Sequence, residues 1–246
     1  MMLWKWEELP DFLQTEAVKP YYDILKKKQV SLFFKRVFDI VVSVIMLVVL
    51  SPLFLALAIA IKLDSPGPVF YRQVRVTQYG KEFRIFKFRS MVQNADKGSL
   101  LTVGADSRIT EVGKFIRRYR LDEFCQLIDI LRGTMTFVGT RPEVPKYVAG
   151  YTPEMMATLL LPAGVTSEAS ILYKDEYALL KDAEDIDRAY IEKVLPGKMK
   201  FNLKAMANYG FWKDIRIMIM TVFAMLGKDY AVPTGDEQGE TSNIDV

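Results

Sequence analysis

Residues 40–61 read IVVSVIMLVVLSPLFLALAIAI, 22 residues without a charge, interrupted near the middle by Ser51-Pro52. About 20 apolar residues are enough to cross the hydrocarbon core of a bilayer. The flanks do not orient such a crossing. Lys26, Lys27, Lys28, Lys35 and Arg36 precede the run, and Lys62, Arg72 and Arg75 follow it, whereas a spanning helix is normally oriented by a Lys/Arg imbalance. Pro52 removes a backbone donor and clashes with the preceding turn. The Ser51 hydroxyl can bond a carbonyl exposed there. These features predict a re-entrant membrane helix over residues 35–63 that breaks at Ser51-Pro52 and leaves on the side it entered. The rest of the chain then lies at the cytoplasmic membrane surface. A spanning anchor with its domain outside the cell is the competing topology.

Working outward, residues 1–34 read as an N-terminal arm. Leu3, Trp4, Trp6, Phe12, Tyr21 and Tyr22 suit either interfacial helices or packing against the protein itself. Asp64-Ser65-Pro66-Gly67-Pro68 is a dense turn signal. Residues 64–232 form the cytoplasmic, membrane-associated domain. Val69–Met91 predicts two strands about Gln78-Tyr79-Gly80-Lys81, followed by a polar loop, Gln93–Gly104. Ile109–Arg120 and Leu121–Arg132 predict helices. The second carries the apolar stripe Leu121, Phe124, Cys125, Ile128, Leu131, with Gly133 as its C-cap. Thr134–Pro142 reads as a loop, while Pro153–Leu161, Asp185–Val194 and Trp212–Leu226 read as helices. The apolar end of the last, Ile217–Leu226, is too short to cross a bilayer and fits a core helix or one lying on the membrane. Residues 233–246 hold the acidic tail, expected to be disordered. The fold class is α+β, mostly helical: a re-entrant broken membrane helix, a small β-hairpin and amphipathic interfacial helices.

The charge is unevenly spread. Arg72–Arg89 holds six Lys/Arg against Glu82, and Arg108–Arg120 holds five against Glu111. Such clusters suit phosphate-bearing partners. No nucleic-acid-binding motif is present. The chain has no histidine, which excludes a Ser-His triad, a histidine base and a histidine-ligated metal. Its one cysteine, Cys125, excludes an internal disulfide. Any metal therefore has oxygen ligands, favouring Mg2+, Mn2+ or Ca2+.

Asp122-Glu123 is the sharpest candidate for chemistry, since two adjacent carboxylates follow Arg117, Arg118 and Arg120 directly. Neighbours on a helix point about 100° apart, so one carboxylate can face a reacting phosphorus while the other reaches a metal. Nearby guanidinium groups are expected to keep Asp122 ionised and to hold phosphate oxygens. An aspartate attacking phosphorus forms an acyl-phosphate, and Mg2+ would offset diphosphate charge. Alone, the triplet Leu-Asp-Glu fits a solvated helix face paired with arginine equally well.

A family resemblance adds context. The blocks Lys35-Arg36-Val37-Phe38-Asp39, Ser51-Pro52, Lys62–Phe70 and Gln73-Val74-Arg75 resemble the start of the bacterial sugar transferase family, the monotopic phosphoglycosyl transferases. The likeness continues through Lys87-Phe88-Arg89-Ser90-Met91, Asp106–Thr110, Gly113–Arg118, Leu121-Asp122-Glu123, Leu131-Arg132-Gly133 and Val138–Pro142. It implies transfer of a sugar 1-phosphate from a UDP-sugar to polyprenyl (undecaprenyl) phosphate, with UMP released, starting glycoconjugate or exopolysaccharide synthesis. It implies Asp122 as the nucleophile, Glu123 at the Mg2+ site with Asp122 beside it, and a helix broken at Ser51-Pro52. It places Lys87, Arg89, Arg117, Arg141 and Pro142 near the phosphates. A basic strand edge is the plainer account of Lys87 and Arg89, and a structural turn that of Arg141-Pro142. The expected location is the cytoplasmic face of the bacterial inner (plasma) membrane, with the phospholipid membrane as a partner; a homodimer is compatible with the sequence. Thr77, Thr134 and Thr140 depart from the family pattern, which puts the sugar specificity in doubt. A catalytically silent membrane-bound interaction protein that holds anionic lipid is the alternative reading.

Overall fold

The computed structural model describes residues 3–93, 95, 108–174, 180, 183 and 185–230. Most of the predicted loop at 93–104, the motif pair Asp106-Ser107 and the acidic tail lie outside the described residues.

The axis of the fold is helix α2, Gln29–Asp64, which follows the short α1, Lys19–Lys27. The predicted break is absent, for α2 runs through Pro52 without interruption. Proline has no N–H to give the carbonyl of Val48, four residues back. The Ser51 hydroxyl gives its own instead, at 2.8 Å, so the ladder loses no bonded carbonyl at that step.

One face of α2 packs on the domain over most of its length. Leu32, Lys35, Asp39, Ser43, Leu57 and Ile61 are buried there, at the three- and four-residue spacing of a helix face. Polar ties fix both ends. Lys35 Nζ donates to Asp214 Oδ2 at 2.5 Å. Arg36 donates to the carbonyls of Ile130 (2.6 Å) and Leu131 (3.0 Å). Asp39, wholly buried, accepts from the Thr136 hydroxyl at 2.6 Å. At the far end Asp64 Oδ2 accepts the Val112 N–H at 3.0 Å. Lys35 and Asp64 are about 43 Å apart along the helix at 1.5 Å per residue. The opposite face, including Phe34, Val41, Val48 and Leu55, is exposed.

Strands β1, Phe70–Val76, and β2, Glu82–Phe88, form the predicted antiparallel hairpin, with Phe70 opposite Phe88 and Val76 opposite Glu82. Tyr79 (φ 59°) and Gly80 (φ 72°) take left-handed backbone in its turn. The N-terminal arm covers this turn: Trp4 packs on Tyr79 with ring centroids 4.3 Å apart. Leu9, Leu13, Val18, Tyr22 and Leu25 are buried with Leu160 and Leu203. The arm packs against the protein through these residues, while Trp4 and Phe12 keep an exposed side.

After α3, Glu111–Arg118, a 3-10 turn over Leu121–Gln126 leads into α4, Leu127–Arg132. One continuous helix was the expectation from the apolar spacing. The tighter opening turn, about three residues per turn, rotates the helix beyond it, so Cys125, Leu127 and Ile130 are buried while Ile128 and Leu131 are only partly so. Gly133 caps α4 at φ 81°, as its position predicts. The segment read as a loop contains β3, Met135–Val138, paired in parallel with β4, Ala163–Thr166. All four residues of β3 are buried, so it lacks the alternation that marks a half-exposed strand.

The C-terminal part packs α5, Pro145–Val148, and α6, Glu168–Leu172, with α7, Ile186–Ala189, and α8, Leu195–Ala207. Helix α9, Phe211–Met225, closes the chain. Its predicted apolar end is no core helix: Ile217 and Met218 pack inward, while Ile219, Val222, Phe223 and Met225 are exposed.

Removing one partner of a buried ion pair costs about 3–5 kcal/mol. Asp214→Ala should fall at the lower end of that range, because Asp39 still attracts Lys35. The measurement is the thermal unfolding midpoint in detergent. The apolar pair Lys35→Met with Asp214→Leu should recover most of the loss.

Candidate active site

The dyad sits where the chain changes direction. Helix α3 ends at Tyr119, and Arg120 adopts a left-handed backbone (φ 51°) before the 3-10 turn begins. A left-handed non-glycine residue costs about 1–2 kcal/mol; backbone bonds on either side hold it, from the Arg120 N–H to the Arg117 carbonyl (3.1 Å) and from the Glu123 N–H to the Arg120 carbonyl (3.4 Å). The 3-10 turn presents Asp122 and Glu123 toward β2 and toward the loop after β3.

Three of the five predicted phosphate-binding residues converge there. Lys87, on β2, donates to Glu123 Oε1 at 3.2 Å and stands 3.9 Å from Asp122 Oδ2. Arg141 forks onto both Glu123 oxygens, Nη1 to Oε2 at 3.2 Å and Nη2 to Oε1. Arg117 donates to the Ser90 hydroxyl at 2.9 Å and adds positive potential at Asp122.

The other two are placed differently. Arg89 is buried, and its guanidinium is committed to backbone: the carbonyls of Ile61 (3.2 Å), Ser65 (2.6 Å) and Pro66 (3.0 Å). Its partners, which include the Ser65 hydroxyl at 3.0 Å, belong to the C-terminal end of α2 and the turn beyond it, so it braces that end of the helix. Pro142 is buried and offers its carbonyl to Arg75 at 3.3 Å. Ser51-Pro52 lies on α2 and carries no group of the dyad.

The two carboxyls are electrically unlike. Burial opposes ionisation of Glu123, but Arg141 and Lys87 together hold it far below the usual carboxylate range. Asp122 is pushed upward, first by burial and then by the charge of Glu123, against the pull of Lys87. The arginines do pull the Asp122 pKa down, as expected, but burial outweighs them and leaves it above its ordinary value. The two pKa values are thus pushed in opposite directions, Glu123 down by its cations and Asp122 up by burial. Burial also pushes the Cys125 thiol up, and its Sγ donates to the Asp122 carbonyl at 3.3 Å, so the thiol is a packing group.

Oxygen donors of Asp122 and Glu123 suit Mg2+, which commonly takes one or two carboxylates and fills its shell with water and substrate phosphates. Among the described residues no group of three or more His, Cys, Asp or Glu is arranged to hold a metal. A site shared with a substrate diphosphate is thus the kind this donor set fits.

A supporting network was not read from the sequence. Tyr190 donates to Glu143 Oε1 at 2.6 Å, and Lys198 donates to the Tyr190 hydroxyl at 2.9 Å. Together with Arg75 they steady the Arg141–Glu143 loop from behind. Glu143 next to Arg141-Pro142 was the only local signal; Tyr190 and Lys198 are distant in sequence.

The chain matches the bacterial sugar transferase model over residues 30–228. It is 35% identical over 198 residues to the UDP-N-acetylgalactosamine-undecaprenyl-phosphate N-acetylgalactosaminephosphotransferase of Aeromonas hydrophila, covering 79% of this chain and 44% of that one. It is 35% identical over 211 residues to the UDP-glucose:undecaprenyl-phosphate glucose-1-phosphate transferase of Escherichia coli (strain K12), covering 84% and 43%. It is 33% identical over 220 residues to the undecaprenyl-phosphate galactose phosphotransferase of Salmonella typhimurium, covering 83% and 43%. The chain therefore spans less than half the length of these relatives.

Behind the dyad, Asp129 is buried and accepts the Phe86 N–H at 2.8 Å, pinning β2 to α4. Burial raises its pKa from 3.8 to about 6. The folded protein then keeps a proton that the unfolded chain has lost, so stability falls as pH rises from about 4 to about 6. Asp129→Asn should flatten that dependence, read as urea midpoints at several pH values. Arg89→Gln should lower the unfolding free energy at all of them by about 2–3 kcal/mol, read from the same urea curves.

Proposed function

The chain belongs to the bacterial sugar transferase family, and on that premise we propose that it transfers a sugar 1-phosphate from a UDP-sugar to polyprenyl phosphate. The observation that carries this reading is the meeting of Asp122, Glu123, Lys87 and Arg141 at one point. The Asp122 carboxylate attacks the phosphorus that bears the sugar. The bond from that phosphorus to the bridging oxygen breaks, and UMP leaves with the electron pair. A phosphate oxygen of the lipid then attacks the same phosphorus, and the Asp122 carboxylate departs.

Lys87 lies between the two carboxyls, where a cation lowers the cost of bringing a diphosphate beside them. Arg141 fixes Glu123 by a two-point grip, so Asp122 is the carboxyl left to move into bonding distance. Asp122 and Glu123 would hold Mg2+, which when bound supplies charge neutralisation on the diphosphate. A lipid-holding scaffold without catalysis leaves this convergence without a purpose.

The membrane seat follows from the clamp on α2. Both ends of the helix are tied to one domain, and the contact runs farther than the roughly 30 Å hydrocarbon core. A perpendicular crossing would drag that domain into lipid. We therefore infer that α2, unbroken, lies against the cytoplasmic face of the inner membrane without crossing it, with the exposed apolar faces of α2 and α9 in contact with lipid.

Intact mass after incubation with a panel of UDP-sugars tests the first step. The added mass should equal one sugar phosphate, and Asp122→Asn should lose it together with UMP release, by about a thousandfold or more. Wild-type UMP release by that variant would remove Asp122 from its role. Since Asp122 must be ionised to attack and its pKa is raised, the rate should fall with decreasing pH from above the ordinary 3.8. Lys87→Met should move that limb to still higher pH.

A further inference from the structure

A cavity of about 360 Å³ opens beside the dyad. Phe124, Leu127 and Phe137 form part of its inner wall; Met218, Val222 and Met225 of α9 stand across from them. Glu123 and Arg141, bonded to each other, mark where it meets the reaction centre, and Arg120 and Lys174 are its other charged lining residues. Val222 and Met225 are also 56% and 47% exposed. Residues that line a cavity and face outward at once mean that it opens along α9, onto the apolar exterior.

We propose that this cavity holds the isoprene units nearest the phosphate of the lipid acceptor, with α9 as its outer wall; the inference rests on the transfer reaction proposed above. A sugar or a base would need hydrogen-bond partners inside. The hydroxyls of Thr166 and Thr221 are bonded to each other at 2.8 Å, and Thr221 donates to the Ile217 carbonyl. The walls otherwise present mostly carbon and methionine sulfur, which adapts to branched chains. An amphiphile matches both parts: an anionic head drawn to Arg120 and Arg141, and a tail that leaves along α9 toward lipid. Only with the head at this end does an acceptor oxygen approach Asp122 while the tail stays out of water.

The test uses the full chain in lipid nanodiscs with a polyprenyl phosphate carrying a diazirine in its first isoprene units. Irradiation and peptide mapping should place the label in residues 124–137 and 211–226. Label confined to the exposed face of α2 overturns the proposal. Independently, Met218→Trp and Val222→Trp narrow the cavity and should raise the KM for undecaprenyl phosphate about tenfold or more. Exchange of labelled UMP into the UDP-sugar, which needs no lipid, reports whether each variant is folded. Folded variants with unaltered lipid KM count against the cavity, and if a variant does not fold, the label on the wild type decides. If the wild type exchanges UMP with no UDP-sugar, the transfer reading itself fails, wherever the label lands.

Discussion

Everything at the reaction centre depends on how one long apolar helix is tied to the domain beneath it. Lys35, Arg36 and Asp39 sit within about one and a half turns of α2 and reach three different elements: α9, the end of α4 and the start of β3. Those last two elements flank the chemistry. The turn entering α4 carries Asp122 and Glu123, and the loop leaving β3 carries Arg141. A helix that would otherwise be only an anchor is thus the reference against which the dyad and its arginine are aligned. Arg89 and Asp64 do the same at the other end, fixing α2 relative to β2 and α3.

The site that results holds two carboxyls of opposite electrical character. Glu123 receives nearly all the directed cationic contact and becomes a fixed charge. Asp122 is as deeply placed but, among the described residues, the cation nearest to it is Lys87, at the longer 3.9 Å. A buried carboxylate with few hydrogen bonds is more basic than one in water, which suits attack on phosphorus better than a fully paired anion does. The supporting shell, Glu143 with Tyr190 and Lys198, acts on the arginine side of the pair.

Much of this was legible because it is local. The hairpin follows from its turn residues, the end of α4 from Gly133, and the dyad from two carboxyls behind three arginines. The Lys-Arg-x-x-Asp block was visible as a motif, yet its task was not, because the partners of Lys35 and Asp39 lie in α9 and β3, far along the chain. The backbone contacts of Arg89 were hidden for a related reason. Its spacing from Lys87 puts both on one strand face, whereas β2 ends at Phe88 and the arginine turns back to the carbonyls of Ile61, at the end of α2, and of Ser65 and Pro66 beyond it. The Leu121–Arg132 stripe failed because period-3.6 reasoning presumes an α-helix from its first residue. Thr77 and Thr134, set apart as departures from the family pattern, touch each other: the Thr77 hydroxyl bonds the Thr134 carbonyl at 2.6 Å.

The Ser51 hydroxyl on the Val48 carbonyl has a mechanical meaning. A backbone amide is rigidly attached to the helix it stabilises, but a hydroxyl turns on its own bond and can follow its acceptor through a range of angles. The Ser-Pro step is therefore a joint that is both sealed and compliant. It exposes no bare carbonyl to oil, and it needs neither water nor a neighbouring helix to keep it closed. The joint lies between the polar ties at Lys35 and Asp64, so bending taken up there leaves the spacing between Asp122 and Arg141 undisturbed.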